Sequence, residues 1–132
     1  MRNTFEPSNE LDFIAKGTIG AAIEVHKQLG PGYLESLYEE ALAIELNLRN
    51  IKYKRQYKVN IQYKNNSIGD GRLDLLIENK LVVELKTVDI LLPLHKAQVI
   101  SYLKATNLHL GLLINFNTPL LKHGIKRIIY SN

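Results

Sequence analysis

The sequence predicts a mixed α/β fold of the α+β kind, in which one mixed β-sheet is flanked by helices. Apolar residues recur every three or four positions up to about residue 49, which is the period of helices. Between residues 53 and 130 they alternate or run without a break in short segments, as in strands. The segments follow the order α-α-β-β-β-α-β-β, and a three-stranded meander followed by a helix and another strand builds a mixed sheet.

Composition limits the class of protein. The chain has 132 residues and no cysteine, so it is long enough for one domain with a buried core and has neither disulfides nor thiolate metal sites. No apolar run approaches the roughly 18 residues of a membrane span, and MRNTFEPSNELDF has no apolar segment typical of a signal peptide. We expect a cytoplasmic protein with no membrane contact, a loose leader at residues 1–8 and one domain at residues 9–132.

The net charge is modestly basic. A formal charge of +4 is compatible with a polyanionic partner but is common in proteins that have none. Charge alone therefore does not indicate nucleic acid.

The first predicted helix begins near Asn9, a residue type that caps helix N-termini. Apolar and small residues follow at helical spacing as far as Leu29, and Gly30-Pro31-Gly32 then ends the helix. We expect this helix to pack on a face of the sheet.

The second predicted helix spans about Leu34–Arg49. Its expected stripe contains Leu34, Leu37, Tyr38, Ala41, Leu42, Glu45 and Leu48. Glu35 lies in the first turn, where the helix dipole favours an acid. An alternative interpretation is that Glu35 points from the helix N-terminus into a catalytic cleft.

The first predicted strand spans Tyr53–Lys64, in which polar and apolar residues alternate. One face is expected to carry Tyr53, Arg55, Tyr57, Val59, Ile61 and Tyr63. No acid lies in this segment, so Lys54, Arg55 and Lys58 are candidates for contact with a nucleic-acid backbone. Equally, the lysines of a solvated edge strand can serve to discourage pairing with other chains.

The next two predicted strands, about Arg72–Ile77 and Leu81–Thr87, are joined by a tight polar turn at residues 78–80. Asp74 lies among leucines in the first, and Glu84 and Lys86 share one face of the second. Because a buried charge without a partner costs several kcal/mol, the presence of three charged residues among apolar ones requires a partner or ligand that compensates for burial. The residues favour a divalent-cation site over a structural ion pair of Asp74 with Lys86.

Such a site has a definite chemistry. Directly opposed Cβ atoms of neighbouring antiparallel strands lie only about 5 Å apart, so Asp74 and Glu84 can meet on one face. Mg²⁺ prefers oxygen ligands and is usually held by one or two carboxylates, water and substrate phosphate. The amine of Lys86 can activate water or stabilise charge on a phosphate oxygen. Together these are the parts needed to hydrolyse a phosphodiester.

A third helix is predicted at about Leu94–Thr106, with Gln98 and Tyr102 one turn apart. Two final strands follow at about Leu110–Phe116 and Ile125–Tyr130. The continuous apolar run within the first of these indicates an interior strand that is covered on both faces.

The succession of Asp74, then Glu84-Leu85-Lys86, then Gln98 on the next helix, in an αβββαβ order, resembles the PD-(D/E)xK nuclease superfamily, which has a restriction endonuclease-like fold. The segment GYLESLY at residues 32–38 is similar to the motif that names the bacterial and archaeal GxxExxY family. The resemblance runs from about Ile19 to Tyr130. One departure is Leu73 before the aspartate, where the superfamily's name has proline.

The resemblance implies a role for each residue. Asp74 and Glu84 would bind Mg²⁺, or Mn²⁺ in its place, and Glu35 would be the helical acid that assists metal binding. Lys86 would be the catalytic lysine, and Gln98 would approach the scissile phosphate or a water. The implied activity is metal-dependent hydrolysis of DNA, or of RNA.

Two other functions stay open. One is a nucleic-acid-binding module without catalysis, contacting its ligand through Lys54, Arg55, Lys58 and Tyr102. The other is an interaction or scaffold subunit, such as a homodimer, whose charges form an internal network.

Overall fold

A computed structural model of the protein describes residues 6–131. Three helices are present: α1 (Asn9–Leu29), α2 (Glu35–Leu48) and α3 (Pro93–Thr106). The strands are β1 (Tyr53–Tyr63), β2 (Asn66–Ile77), β3 (Leu81–Lys86), β4 (Leu110–Asn115) and β5 (Ile125–Ile129), and a 3₁₀ helix (Leu121–Gly124) precedes the last. The first five residues of the expected leader lie outside the described residues.

The five strands form one sheet in the order β1-β2-β3-β4-β5. β1, β2 and β3 form an antiparallel meander, β3 and β4 are parallel, and β4 and β5 are antiparallel. The parallel pair arises because α3 crosses over the sheet between β3 and β4. The predicted mixed sheet is confirmed, and β1 is one of its two edges.

Helices cover both faces of the sheet. The side chains of β3 alternate, so Leu81, Val83 and Leu85 pack with α1 and α2, whereas Val82 packs with α3. All six residues of β4 are buried, as predicted for an interior strand. No helix within residues 6–131 has the length and apolar character needed to span a bilayer.

The helix α1 is capped by Ser8, not by Asn9 as the sequence predicted. The Oγ of Ser8 accepts a hydrogen bond of 3.1 Å from the backbone N–H of Leu11. Both residue types are good N-caps, so the sequence preference does not separate neighbouring candidates. The helix ends at Gly30, whose φ of 69° favours glycine.

The predicted buried stripe of α2 is only partly correct. The helix buries Tyr38, Glu39, Leu42, Ala43 and Leu46. By contrast, Leu34 and Leu48 are 73% and 72% exposed. Two apolar stripes lie side by side on this helix, and periodicity alone does not say which one meets the sheet. The ring of Tyr38 stacks on Phe116 with centroids 4.5 Å apart, which sets the observed rotation.

The strand β1 does not keep one apolar face along its length. Tyr53 packs with the layer of α1 and α2, whereas Tyr57 and Ile61 pack with the layer of α3. Between them Gln56 has a φ of 48°, outside the extended region. The prediction of one face was therefore wrong, because a positive φ within the strand interrupts the alternation on which it relied.

Candidate active site

Asp74 and Glu84 lie side by side on adjacent strands. The register of β2 with β3 pairs Leu75 with Val83, and its continuation by one residue brings the two acids opposite each other. The backbone N–H of Asp74 donates to Glu84 Oε1 at 2.9 Å, and the N–H of Leu85 donates to Asp74 Oδ2 at 2.8 Å. The two side chains are also within hydrogen-bonding reach of one another. The strands therefore hold two carboxyl groups at one point.

The electrostatic state of Glu84 reflects this crowding. Its side chain is in the sheet interior, with only 3% of the residue exposed. Burial, and after it the negative charge of Asp74, raises the pKa of Glu84 from 4.5 to about 8, while the positive charge of Lys86 opposes the rise. Without a cation, the pair therefore retains a proton at neutral pH.

Lys86 is half-buried and faces the same region. Its Nζ donates to Oε1 of Gln98 at 3.1 Å. Among residues 6–131, no ion pair within 4.0 Å joins Lys86 to Asp74 or Glu84. The structural alternative, an ion pair of Asp74 with Lys86, is therefore not formed, and the amine is held by the amide of α3 instead.

Tyr102 forms the wall behind Gln98. Its hydroxyl lies within hydrogen-bonding reach of Gln98 and of the backbone at Arg72. Its ring covers Gly71, where an added Cβ would lie only 2.9 Å from Tyr102 Cε1. Burial, followed by the charge of Glu84, raises the pKa of Tyr102. Tyr102, predicted as a nucleic-acid contact, therefore lies beside Gln98 and within the electrostatic influence of the carboxylate pair.

Glu35 approaches from α2, as the first residue of that helix. Burial raises its pKa, and the charge of Asp74 adds to the rise, whereas Lys86 lowers it. Glu35 therefore shares the electrostatic environment of the pair. Tyr38 fixes the turn before it, since its hydroxyl donates to the backbone oxygen of Gly30 at 2.5 Å and accepts from the N–H of Tyr33 at 3.2 Å.

Two further residues support the site, and no sequence signal marked them. Gln56 Nε2 donates to Glu39 Oε1 at 2.7 Å and to Asp74 Oδ1 at 3.3 Å, so it links α2 to the carboxylate pair. Asn115 bonds to both the N–H and the oxygen of Val88, which holds the segment after Lys86 against β4. A long-range contact of a single amide has no sequence period, so only the fold reveals it.

The carboxylate pair fits a hard divalent cation. Two carboxyl groups that repel each other, one of them buried and with a raised pKa, provide the oxygen donors that Mg²⁺ prefers. In the part of the chain that is described, no three or more His, Cys, Asp or Glu side chains form a ligand cluster. Glu35 is therefore near the pair but is not placed with it as a third ligand.

The residues of β1 that were predicted to contact nucleic acid have different surroundings in the structure. Arg55 forms ion pairs with Glu39 at 3.0 Å and with Glu40 at 2.8 Å. Lys54 lies over the ring of Tyr57, 5.6 Å from its centroid. Lys58 is exposed on the edge strand. Arg55 is thus engaged within the protein, whereas the two lysines face outward.

Comparisons with known proteins agree with this fold. A sequence model of the PD-(D/E)XK nuclease superfamily matches residues 12–128. The protein titled "Crystal structure of SSO0001" is similar in fold, with a TM-score of 0.57 and 22% identity, over 74% of this chain and 50% of that one. This chain therefore spans about half the length of that protein. A comparison with curated proteins finds no match. The narrower GxxExxY family stays a prediction.

Proposed function

The chain belongs to the PD-(D/E)XK nuclease superfamily, whose sequence model spans residues 12–128, and from that membership we propose a Mg²⁺-dependent nuclease that hydrolyses phosphodiester bonds in DNA. The observation that carries the proposal is the convergence of Asp74 and Glu84, with Lys86 on the same side of the sheet and held by Gln98. An activity of this kind needs paired oxygen ligands and an amine at one point, and these residues supply both.

Asp74 and Glu84 would hold the metal, with Mn²⁺ as a substitute. When bound, the cation supplies positive charge that offsets the charge gathering on the phosphate oxygens. Glu84 would bind such a cation as the deprotonated carboxylate, because added positive charge opposes the effects of burial and of the Asp74 charge on its pKa. Glu35, one helix away, adds negative charge near the pair. We assign it the role of assisting metal binding.

Lys86 acts through its amine. An ammonium has three N–H donors, and Gln98 accepts one of them at 3.1 Å. The other two are available to orient the attacking water or to stabilise a phosphate oxygen. Gln98 keeps its amide oxygen toward this amine, and Tyr102 supports the amide from behind. We therefore assign Lys86 a direct role and Tyr102 a positioning role.

The proposal is tested by incubating the purified chain with Mg²⁺ or Mn²⁺ and linear, nicked, branched or single-stranded DNA, with RNA in parallel. We expect cleavage that EDTA abolishes and that Glu84→Ala and Lys86→Ala each reduce by about two orders of magnitude or more. The matched control is Lys126→Ala, since Lys126 is exposed on the opposite edge strand. Equal activity in the two site variants and the control would end the proposal.

A second candidate function is nucleic-acid binding without catalysis, which the exposed lysines of β1 favour. It predicts salt-sensitive binding that does not depend on divalent metal. The homodimer stays a prediction. Two exposed leucines at the ends of α2, its N-cap Leu34 and its last residue Leu48, would form the dimer surface. Sedimentation equilibrium measures the mass.

A further inference from the structure

A groove runs along the edge strand β1, on the side where α3 ends. It encloses about 1080 Å³. Its walls are residues 57–62 of β1 and residues 101, 104–106 and 108 at the end of α3, with Leu76 and Asn79 at its base. A second depression of about 700 Å³ also contains Leu76 and Asn79 and continues along β1 to Lys52. We call the two depressions together the edge groove.

The edge groove carries positive charge that the protein itself does not neutralise. Four lysines line it: Lys52, Lys54, Lys58 and Lys104. Among the described residues that line it, the only acid is Glu78, whose carboxylate accepts a hydrogen bond from the backbone N–H of Lys52 at 3.2 Å. Within residues 6–131, none of the four lysines forms an ion pair. Their ammonium groups therefore favour an anionic partner.

The edge groove is separate from the carboxylate pair but adjoins it. None of Asp74, Glu84, Lys86 or Gln98 lines it. Ser101 is its first residue on α3, three positions after Gln98, and this spacing corresponds to less than one helical turn of about 5.4 Å. An extended polyanion that occupies the groove can therefore continue along α3 toward the site.

The chemistry of the walls selects the kind of polyanion. Tyr57 contributes a half-buried aromatic ring that has the Nζ of Lys54 over it, 5.6 Å from the centroid. The amides of Asn60, Gln62 and Asn79 offer hydrogen-bonding groups beside the lysines. Proteins that bind single-stranded nucleic acid combine a positive groove that follows the backbone with aromatic rings on which bases stack. An acidic peptide would use the charge but would leave these polar and aromatic walls without a role.

We propose that the edge groove binds the sugar-phosphate backbone of a single nucleic-acid strand, with Lys58 and Lys104 as phosphate contacts on its two walls. The ligand class follows from the proposed function, but binding in the groove needs neither metal nor cleavage. The groove would thus be a strand-holding site beside the carboxylate pair.

The test measures binding of the full chain to a labelled oligothymidylate of about 20 nucleotides by fluorescence anisotropy in EDTA. The double variant Lys58→Ala/Lys104→Ala is compared with Lys122→Ala/Lys126→Ala. The second variant removes two exposed lysines in and just before β5, the edge strand opposite β1. We expect at least a tenfold weaker affinity for the groove variant alone. Each lost phosphate contact should also reduce the slope of log K against log salt by about 0.7.

Three outcomes would overturn the proposal. The two double variants could bind with equal affinity and equal salt slope. Polyglutamate or duplex DNA could compete better than the unlabelled oligonucleotide. The groove variant could bind normally but self-associate, which would mean that its lysines only discourage edge pairing. Circular dichroism and thermal unfolding identify a folding defect, and Lys58→Gln/Lys104→Gln then repeats the test with the side-chain length better preserved.

The groove and the proposed function fail separately. Binding that depends on Lys58 and Lys104, in a protein that cleaves nothing, supports the groove and contradicts the nuclease. Cleavage that is lost in Glu84→Ala, with oligonucleotide binding unchanged in the groove variant, supports the nuclease and contradicts the groove.

Discussion

The backbone N–H of Asp74 donates a hydrogen bond of 2.9 Å to Oε1 of Glu84. A buried carboxyl group thus bonds to the very residue whose own carboxyl group repels it. The regular ladder between β2 and β3 reaches from Ile77 back to Leu75. The contact of Asp74 with Glu84 connects the two strands one residue further. Glu84 therefore contributes both to the chemistry of the site and to the folding of the sheet, and the two contributions respond differently to pH.

Stability of the metal-free protein should fall as pH rises from about 5 to 8. In the folded protein the pKa of Glu84 is about 8 against an ordinary 4.5, so the folded state binds a proton that the unfolded state releases in this range. The contribution of protonated Glu84 to stability is complete below its ordinary pKa of 4.5. It is lost as the pH rises through the raised pKa of about 8. The groups that act on Glu84 are Asp74 and Lys86, and Tyr102 faces it from α3.

The measurement is urea unfolding in EDTA across this range. One pKa unit corresponds to about 1.4 kcal/mol, so the free energy of unfolding should decline by a few kcal/mol. Glu84→Gln should flatten the curve, because the amide mimics the protonated acid and does not titrate. A decline of the same size in Glu84→Gln would contradict this account.

Divalent metal should reverse the loss of stability at neutral pH. A ligand at about 100 times its Kd stabilises the folded state by about 2.7 kcal/mol. We expect Mg²⁺ or Mn²⁺ to raise the melting temperature of the natural chain at pH 7.5, but not that of Asp74→Asn or Glu84→Gln. Asp70→Asn is the control, since Asp70 is an exposed acid on the same strand.

Calorimetric titration of the same four proteins counts the sites directly. Heat of binding that persists in Asp74→Asn would mean that the cation binds elsewhere. Glu35→Gln should weaken binding less than either of the other two site substitutions, because Glu35 is not placed with the pair as a third ligand.

Most of the fold and the central acids could be predicted from sequence, for physical reasons. The alternation of Leu81–Lys86 places Glu84 and Lys86 on one face because a strand without irregularities has a period of two. The same rule fails in β1, where Gln56 adopts a positive φ that no residue pattern marks. It also fails to orient α2, because Leu34 and Leu37 have the same helical spacing as the residues that are buried.

The supporting contacts could not be predicted in this way. Gln56 reaches both Glu39 and Asp74 only because the face of β1 changes at that residue. The position of Tyr102 depends on the absence of a side chain at Gly71, which lies 31 residues earlier on another element. Neither relationship produces a local signal.

Tyr102→Phe tests the positioning of Gln98. The substitution keeps the ring on Gly71 and removes the hydroxyl that reaches Gln98 and the backbone at Arg72. We expect kcat to fall about tenfold with KM nearly unchanged, because a misplaced amide affects Lys86 more than substrate binding. Gly71→Ala should lower kcat further, since the added Cβ would lie only 2.9 Å from Cε1 of the Tyr102 ring. A change in KM alone would indicate that Tyr102 contacts substrate.

Tyr38→Phe tests how the turn before α2 positions Glu35. The variant keeps the ring stacked on Phe116 but loses the hydroxyl that bonds to Gly30 and Tyr33. Because the backbone oxygen of Gly30 then lacks this donor, the free energy of unfolding should fall by about 1–2 kcal/mol.

Activity separates a structural role of Tyr38 from a positioning role. If the turn holds Glu35 in place, Tyr38→Phe should shift the Mg²⁺ dependence of cleavage to higher concentration, and saturating metal should restore the rate. Tyr63→Phe is the matched control, since Tyr63 is exposed at the end of β1. A loss of stability with an unchanged Mg²⁺ dependence would show that the hydroxyl supports the fold alone and that Glu35 is oriented by α2 itself.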